Sequence, residues 1–263
     1  MQSNDNSNQT FGTHLEVLRQ MLFRILGISL ILAIVVFIFK DFVWDILLAP
    51  SKYNFVTYRG IEHCLQGLGF DFHFSPFEVD FITTELSSQF MLHMSTSFYL
   101  GILVSSPYIL YELFRFIVPA LYDNERKYAK RFVYIVYMLF VLGVLLSYFV
   151  IFPIAFRFLG TYNIQESITG MISLNSYVST FTSLTLVMGV VFQLPVIAYI
   201  LAKLGIADFK MLAKYRKHSL LIITVVSAFI TPPDIMSCIL VSLPLYLLYE
   251  LSILIARKVY KGE

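Results

Sequence analysis

Long apolar stretches alternate with short polar segments along almost the whole chain. A helix needs about 20 mostly apolar residues to cross about 30 Å of hydrocarbon. The pattern therefore predicts an all-α polytopic membrane protein with six transmembrane helices. The predicted spans are residues 21–39, 90–118, 132–159, 177–204, 219–230 and 235–256. No long linker separates them, so we expect residues 13–257 to form one membrane domain.

The fifth predicted span is unusually short. Its residues 219–230 would extend only about 18 Å as a helix, which is less than the hydrocarbon thickness. The segment Thr231-Pro232-Pro233-Asp234 joins it tightly to the sixth span. A re-entrant hairpin is the alternative, but it would leave the basic C-terminal tail on the wrong side. We therefore expect a short fifth span, for which either the bilayer thins locally or the preceding residues Arg216, Lys217 and His218 snorkel outward.

Lysine and arginine residues are concentrated in alternate loops. Of the 19 such residues, 15 lie in the N-terminal flank, the second-to-third and fourth-to-fifth connections, and the tail. Because positively charged short loops stay in the cytoplasm, both termini are predicted to be cytoplasmic. The charge bias does not distinguish a bacterial from an archaeal or organellar membrane, and a bacterial inner membrane is taken as the default. Residues 51–85 then form a large periplasmic loop. Residues 1–12 are expected to be a disordered cytoplasmic segment, and residues 258–263 a cytoplasmic tail.

The composition supports a membrane protein. Hydrophobic residues make up 58% of the chain, charged residues only 14%, and the mean hydropathy is +0.75. A soluble domain carries about 25% charged residues. The net charge of +2 is small and the basic residues form no single patch, so no nucleic-acid partner is expected.

The sequence contains no motif of a catalytic site. It lacks a Gly-x-Ser-x-Gly elbow, a His-Glu-x-x-His zinc helix and a phosphate-binding glycine loop. Its histidines are scattered without ligand spacing: His14, His63, His73, His93 and His218. We therefore predict that the protein is not an enzyme and holds neither a metal nor a cofactor. Cys64 and Cys238 are expected to be two unrelated free thiols.

Polar side chains inside the spans are the remaining chemical signal, because burying them in lipid is costly. Gln193 lies mid-span, two residues before Pro195, and its amide suits either a structural hydrogen bond or a docking partner. Glu112 is expected to pair with Arg115 on its own helix. Glu250 is expected to snorkel or to face the bundle, and Asp234 to cap the last helix.

Two cytoplasmic segments carry acids beside basic residues. In the second-to-third connection, Asp123 can cap the third span, and Glu125 either lies in its first turn or receives a guanidinium from a partner. Near the N-terminus, Thr13 and Glu16 have the spacing of a capping box. We expect a helix to begin there and to lie at the membrane surface before it enters the bilayer.

Several segments resemble the TatC family, which forms the signal-peptide receptor of the twin-arginine protein translocase. They occur in family order from residue 13 to about residue 257. The matching segments are Thr13-His14-Leu15-Glu16-Val17-Leu18-Arg19, Ala49-Pro50, Ser106-Pro107-Tyr108-Ile109-Leu110, Phe116-Ile117-Val118-Pro119-Ala120-Leu121-Tyr122, Tyr148-Phe149-Val150-Ile151-Phe152-Pro153, Phe192-Gln193-Leu194-Pro195 and Thr231-Pro232-Pro233-Asp234. The resemblance implies a glove-like, concave bundle with short fifth and sixth spans.

The resemblance also implies where a signal peptide binds. The family is thought to hold the paired arginines of a folded cargo's signal peptide with two glutamates, and one of them matches Glu125. At the other position this chain has Val17, and its acid is Glu16, one residue earlier, which rotates the side chain by about 100° around the helix. The residues assigned to signal-peptide binding are Glu125, Glu16, Arg19, Tyr122 and Arg126.

Partner subunits are implied in the same way. The family commonly has Glu at the position of Gln193, where it is thought to contact single-span subunits of the TatA and TatB type. The residues assigned to partner-helix contact are Gln193, Pro195, Pro50 and Asp234. Self-association is also expected, and the proton motive force would drive export of folded proteins.

Other functions are weaker candidates. A small secondary transporter or channel is suggested by Gln193, Glu112 and Glu250 within the spans. Such proteins usually have two similar halves with broken helices in matching places. Here the halves differ in span length and loop size. An intramembrane protease lacks both a nucleophile motif and paired aspartates.

Overall fold

The computed structural model describes residues 5–67, 69, 79–117, 126–162, 171–205 and 209–260, and this part of the chain is almost entirely helical. A 3₁₀ turn (Ala49–Ser51) follows the second helix, and a π turn (Ser147–Ile151) joins the fifth helix to the sixth. The helices are α1 (Asp5–Ile38), α2 (Lys40–Leu48), α3 (Val56–Gly67), α4 (Ser88–Ile117), α5 (Arg126–Leu146), α6 (Phe152–Thr161), α7 (Leu174–Val191), α8 (Leu194–Lys203), α9 (Phe209–Lys214), α10 (Arg216–Ile230) and α11 (Ile235–Tyr260).

Within the described residues, five segments are long and apolar enough to cross a membrane. They are Leu15–Ile38, Ser88–Arg115, Phe132–Thr161, Leu174–Lys203 and Ile235–Lys258. These segments overlap the first four predicted spans and the sixth, so the prediction of a multi-pass helical membrane protein is confirmed. Helix α10 contains the predicted fifth span and has 15 residues, or about 22 Å.

The N-terminal helix starts earlier than the sequence pattern indicated. Helix α1 begins at Asp5, within the segment expected to be disordered, and continues to Ile38. Thr13 therefore lies inside the helix, and the predicted capping box is wrong because a cap must stand at a helix end. The apolar pattern that marks the span says nothing about where a polar extension of the same helix begins.

The chain groups into two compact units, residues 1–39 with 94–137 (unit 1) and residues 40–93 with 138–263 (unit 2). In unit 1, helices α1 and α4 run against each other through small residues. Gly101 lies against the backbone of Ala33, and the hydroxyls of Ser29 and Ser105 are 2.9 Å apart. Small residues let membrane helices approach closely, which strengthens their packing.

In unit 2, helices α8 and α10 pack on α11. Helices α5 and α7 contact each other at two glycines. A Cβ on Gly143 would meet the Met188 carbonyl at 2.5 Å, and one on Gly189 would meet the Phe140 ring at 2.7 Å.

Strands β1 (Phe81–Ile82) and β2 (Ile172–Ser173) form a short parallel pair. This pair is a small departure from the all-α prediction.

Tyrosine hydroxyls fix the C-terminal end of helix α2 in unit 2. The Tyr148 hydroxyl donates to the Ile46 carbonyl, and the Tyr177 hydroxyl to the Leu47 carbonyl, both at 2.8 Å. The last carbonyls of a helix have no partner within it, so these bonds satisfy groups that would otherwise be exposed to an apolar environment.

Helix α3 is held against the same region by Tyr58, which is buried. Its hydroxyl lies 3.0 Å from the Pro50 carbonyl and 2.9 Å from the Pro153 carbonyl, and it shares its proton between them. The Arg157 guanidinium stands 5.0 Å from the centre of the Tyr58 ring, a cation–π distance. The loop that follows the first span is therefore anchored at its start.

Candidate functional site

Two of the residues assigned to signal-peptide binding lie on the first helical turns of the span in α1. Glu16 and Arg19 form an ion pair of 3.6 Å, with side chains 61% and 69% exposed. Exposed pairs of this kind contribute at most about 1 kcal/mol, so either group can exchange its partner. Val17, between them, is also exposed.

The connection between α4 and α5 carries the other residues of this assignment. Glu125 and Tyr122 lie outside the described residues, and so does Asp123. Arg126 is the first residue of α5, and its side chain is likewise outside the described part. Their assignment stays a prediction.

Glu112 on helix α4 has a different partner from the one predicted. Its side chain is buried, and its Oε1 accepts a hydrogen bond of 2.9 Å from the Tyr108 hydroxyl. The nearest cationic group is Nη1 of Arg24 on α1, at 3.9 Å. The predicted local pair with Arg115 is therefore wrong, because the helix turns Glu112 toward α1 and leaves Arg115 exposed.

Gln193 lies at a break between two helices in unit 2. Helix α7 ends at Val191 and α8 begins at Leu194, because Pro195 has no N–H to continue the ladder. The Gln193 carbonyl accepts 3.0 Å bonds from the amides of Val196 and Ile197 in the first turn of α8. The Gln193 side chain is only 7% exposed.

The other residues assigned to partner contact are mostly inside unit 2. Pro50 and Pro195 are fully buried. Asp234 caps helix α11, as predicted, through a 2.6 Å bond from the Ser237 amide to its Oδ1. The exposed apolar residues beside Gln193 are Val190 near the end of α7 and Leu194 and Ile197 in the first turn of α8.

An ion pair joins the last two helices at the ends that carry the basic residues. Nη2 of Arg216, at the start of α10, lies 2.9 Å from Oε2 of Glu250 on α11. The Tyr246 hydroxyl donates to the other carboxylate oxygen at 3.3 Å. Glu250 therefore faces a neighbouring helix, one of its two predicted orientations.

Metal chemistry finds no support in the described part of the chain. Its His, Cys, Asp and Glu residues form no group of three that could hold a metal ion. Cys64 and Cys238 are both free thiols, as predicted.

The contact of Arg24 with Glu112 is a functional candidate that sequence reasoning missed. The i,i+4 spacing of Tyr108 and Glu112 was a usable signal, since a tyrosine there can donate to the carboxylate. The position of Arg24 inside an apolar run was another, because a cation at that depth needs a partner. Only the packing of α1 on α4 shows that both signals concern one site.

Comparisons with known proteins agree on one family. The family model described as Sec-independent protein translocase protein (TatC) matches residues 13–244. The Sec-independent protein translocase protein TatC of Blattabacterium sp. subsp. Periplaneta americana is 35% identical over 265 residues, 99% of each chain. That of Campylobacter jejuni is 34% identical over 246 residues, 94% of this chain and 93% of the relative. The crystal structure of the twin arginine translocase receptor TatC is 31% identical and superposes with a TM-score of 0.76, covering 94% of this chain and 99% of that chain.

Proposed function

Because the chain belongs to the TatC family of Sec-independent protein translocase proteins, we propose that it is the receptor that binds twin-arginine signal peptides. Binding takes place at the cytoplasmic face of the inner membrane, and folded cargo is then exported with energy from the proton motive force. A translocase component is a transport protein, and no enzymatic step is part of the proposal.

The observation that carries the proposal is the loosely held carboxylate of Glu16 at the start of the first span. It is exposed, and its distance of 3.6 Å from Arg19 leaves room for a better partner. An incoming guanidinium can make two parallel hydrogen bonds to a carboxylate, which a lysine cannot. Glu125, which matches the family's glutamate, supplies the second carboxylate, and Tyr122 and Arg126 flank it in sequence.

The proposed topology has six spans with both termini in the cytoplasm. Helix α10 is the additional span, and its 15 residues require a thinned bilayer. Its first residue, Arg216, pairs with Glu250 near the basic C-terminal end of α11. This pairing supports a hairpin whose two basic ends lie on the same side of the membrane.

Single-span partner subunits and further copies of the receptor are the proposed membrane partners. The exposed face of Val190, Leu194 and Ile197 offers an apolar surface beside the break at Gln193. Pro195 and Pro50 act indirectly, because both are buried: Pro195 shapes the helix break beside Gln193, and Pro50 shapes the turn after α2. Asp234 holds the turn that starts α11.

Crosslinking in membranes tests the receptor function. A twin-arginine signal peptide with a photoreactive group should crosslink to the protein, and a twin-lysine peptide should do so much less. Glu125→Ala should reduce crosslinking, whereas Glu85→Ala, which removes an exposed acid from the predicted periplasmic loop, should leave it unchanged. Equal crosslinking of the two peptides to the wild-type protein would contradict the proposal.

A small secondary transporter or channel has less support from the structure. Two of the acids that suggested it, Glu112 and Glu250, have Arg24 and Arg216 as partners. Each of these acids therefore has a cation from a neighbouring helix, so neither needs a transported cation to balance its charge. Solute flux through liposomes that contain this chain alone would favour a transporter over a receptor.

A further inference from the structure

Helix α4 holds a carboxylate in an unusual environment. Among the described residues, Glu112 is the only acidic residue that is buried, with 7% of its surface exposed. Burying a carboxylate costs several kcal/mol unless opposite charge and hydrogen bonds compensate for it. A residue of this kind within a span is a candidate functional site.

The compensation that Glu112 receives is incomplete. The Tyr108 hydroxyl fixes one carboxylate oxygen at 2.9 Å, which orients the group. Arg24 approaches only to 3.9 Å with one nitrogen, and its side chain is 55% exposed. A charge-assisted pair between a guanidinium and a carboxylate is normally about 2.7–2.9 Å long and often bidentate. Arg24 therefore neutralises Glu112 without binding it tightly.

The packing of α1 on α4 places Arg24 and Glu112 close to the proposed signal-peptide site, further along α1 in the direction of its C-terminus. The contacts of Ala33 with Gly101 and of Ser29 with Ser105 show that the two helices run antiparallel. Seven residues before Arg24, on the same face of α1, lies Val17, where the family has a glutamate. Glu112 thus faces the side of α1 on which the family has its glutamate and this chain has Val17. It meets α1 about 10 Å from Val17 along the helix axis.

We propose that Glu112 is a further carboxylate that binds an arginine of the signal peptide, and that Arg24 is the counterion this arginine displaces. The inference rests on the proposed function. The exchange replaces one guanidinium by another, so the buried carboxylate keeps a cation throughout. Arg24 can turn away from Glu112 and extend toward the membrane surface, because about half of its side chain is not packed against the protein. A lysine offers a single point charge and gains less from the site.

Binding of a fluorescent twin-arginine peptide to the full-length protein in lipid nanodiscs tests the inference. Glu112→Gln keeps an oxygen that accepts from Tyr108 but removes the charge, and it should weaken binding about tenfold. Arg24→Gln removes the competitor and should tighten binding severalfold. In the Glu112→Gln background, Arg24→Gln should have no further effect, because its effect passes through Glu112.

Arg115→Gln is the matched control for Arg24→Gln. It removes a positive charge one turn from Glu112, but its side chain is exposed and forms no ion pair with Glu112. Equal effects of Arg24→Gln and Arg115→Gln on peptide affinity would show that only the overall positive charge near the site matters. That result would overturn the inference. Unchanged affinity in Glu112→Gln would overturn it as well. Should Glu112→Gln fail to fold, the comparison of the two arginine variants decides alone.

A twin-lysine peptide separates this inference from the proposed function. Wild-type protein that binds both peptides equally would overturn the receptor function, and this inference with it. A preference for arginine that persists undiminished in Glu112→Gln would overturn only the role of Glu112. A reduced preference for arginine in Glu112→Gln, with an unchanged unfolding temperature, is the result that we expect.

Discussion

Gly101 of helix α4 lies against Ala33 of helix α1 so closely that a Cβ at position 101 would stand 2.6 Å from the Ala33 Cα. One turn further along α4, the hydroxyls of Ser105 and Ser29 meet at 2.9 Å. Lipid gives helices little hydrophobic reason to associate, so close packing of small residues determines how near they come. The contact thereby sets the distance between α1 and α4, on which the approach of Arg24 to Glu112 depends.

Gly101→Ala should destabilise the protein by about 1–3 kcal/mol, because the added methyl group meets backbone that cannot move aside. Gly27→Ala is the matched control, since position 27 of α1 has open space around it. Chemical unfolding in detergent micelles, followed by circular dichroism, measures both. Equal stabilities of the two variants would contradict the close contact.

Cys64 provides a test of the proposed orientation without an engineered residue. It is an exposed free thiol in helix α3, within the predicted periplasmic loop. A membrane-impermeant maleimide should therefore label it in spheroplasts and leave it unlabelled in sealed inverted vesicles. Cys64→Ser, which retains Cys238, should lose most of the label. Labelling confined to inverted vesicles would show that the loop faces the cytoplasm.

The long spans and the family could be predicted from the sequence. Hydrocarbon thickness fixes the length of an apolar run, so predicted span 132–159 lies within a segment that the structure also identifies as a span, and predicted span 177–204 passes the end of its segment by one residue. The positions of the helix ends were harder to predict from the sequence. The start of α1 at Asp5 and the break at Gln193 depend on polar extension and on proline, to which apolar patterning is insensitive.

The arrangement of the candidate sites could be predicted only in part. The cap made by Asp234 is local, and the sequence predicted it. The predicted partner of Glu112 was wrong because spacing along one helix favours Arg115, whereas Arg24 lies on another helix, 88 residues away in sequence. Contacts of this kind depend on how helices face one another, which a single sequence does not record.

Stability at high pH should depend on Tyr58. Burial raises the pKa of its hydroxyl from 10.0 to about 12, and the charge of Arg157 opposes part of that rise. The unfolded state therefore releases this proton first as the pH rises. The stabilisation by neutral Tyr58 is complete below about pH 10 and falls as the pH rises toward 12. Unfolding free energies measured between pH 8 and 12 should show this decline.

Tyr58→Phe should reduce the decline, because no hydroxyl remains to ionise at that position. At pH 8 it should cost about 1 kcal/mol, since the carbonyls of Pro50 and Pro153 lose their donor. Tyr53→Phe, at an exposed position just before α3, serves as the control. If the unfolding free energy of Tyr58→Phe falls between pH 8 and 12 as steeply as that of the wild type, the decline comes from groups other than Tyr58.

Gln193→Leu should weaken association with a single-span partner subunit about threefold. The Gln193 amide, which is buried in this chain alone, has to turn toward the partner, where one interhelical hydrogen bond in lipid contributes about 0.6 kcal/mol. Gln193→Glu, which introduces the residue common in the family, should preserve the association. Asn175→Leu removes an exposed amide near the other end of α7 and should have no effect. Co-purification in detergent measures all three variants, and their unfolding temperatures show whether the fold is intact. Unchanged co-purification of Gln193→Leu would leave Gln193 with a role in the helix break alone.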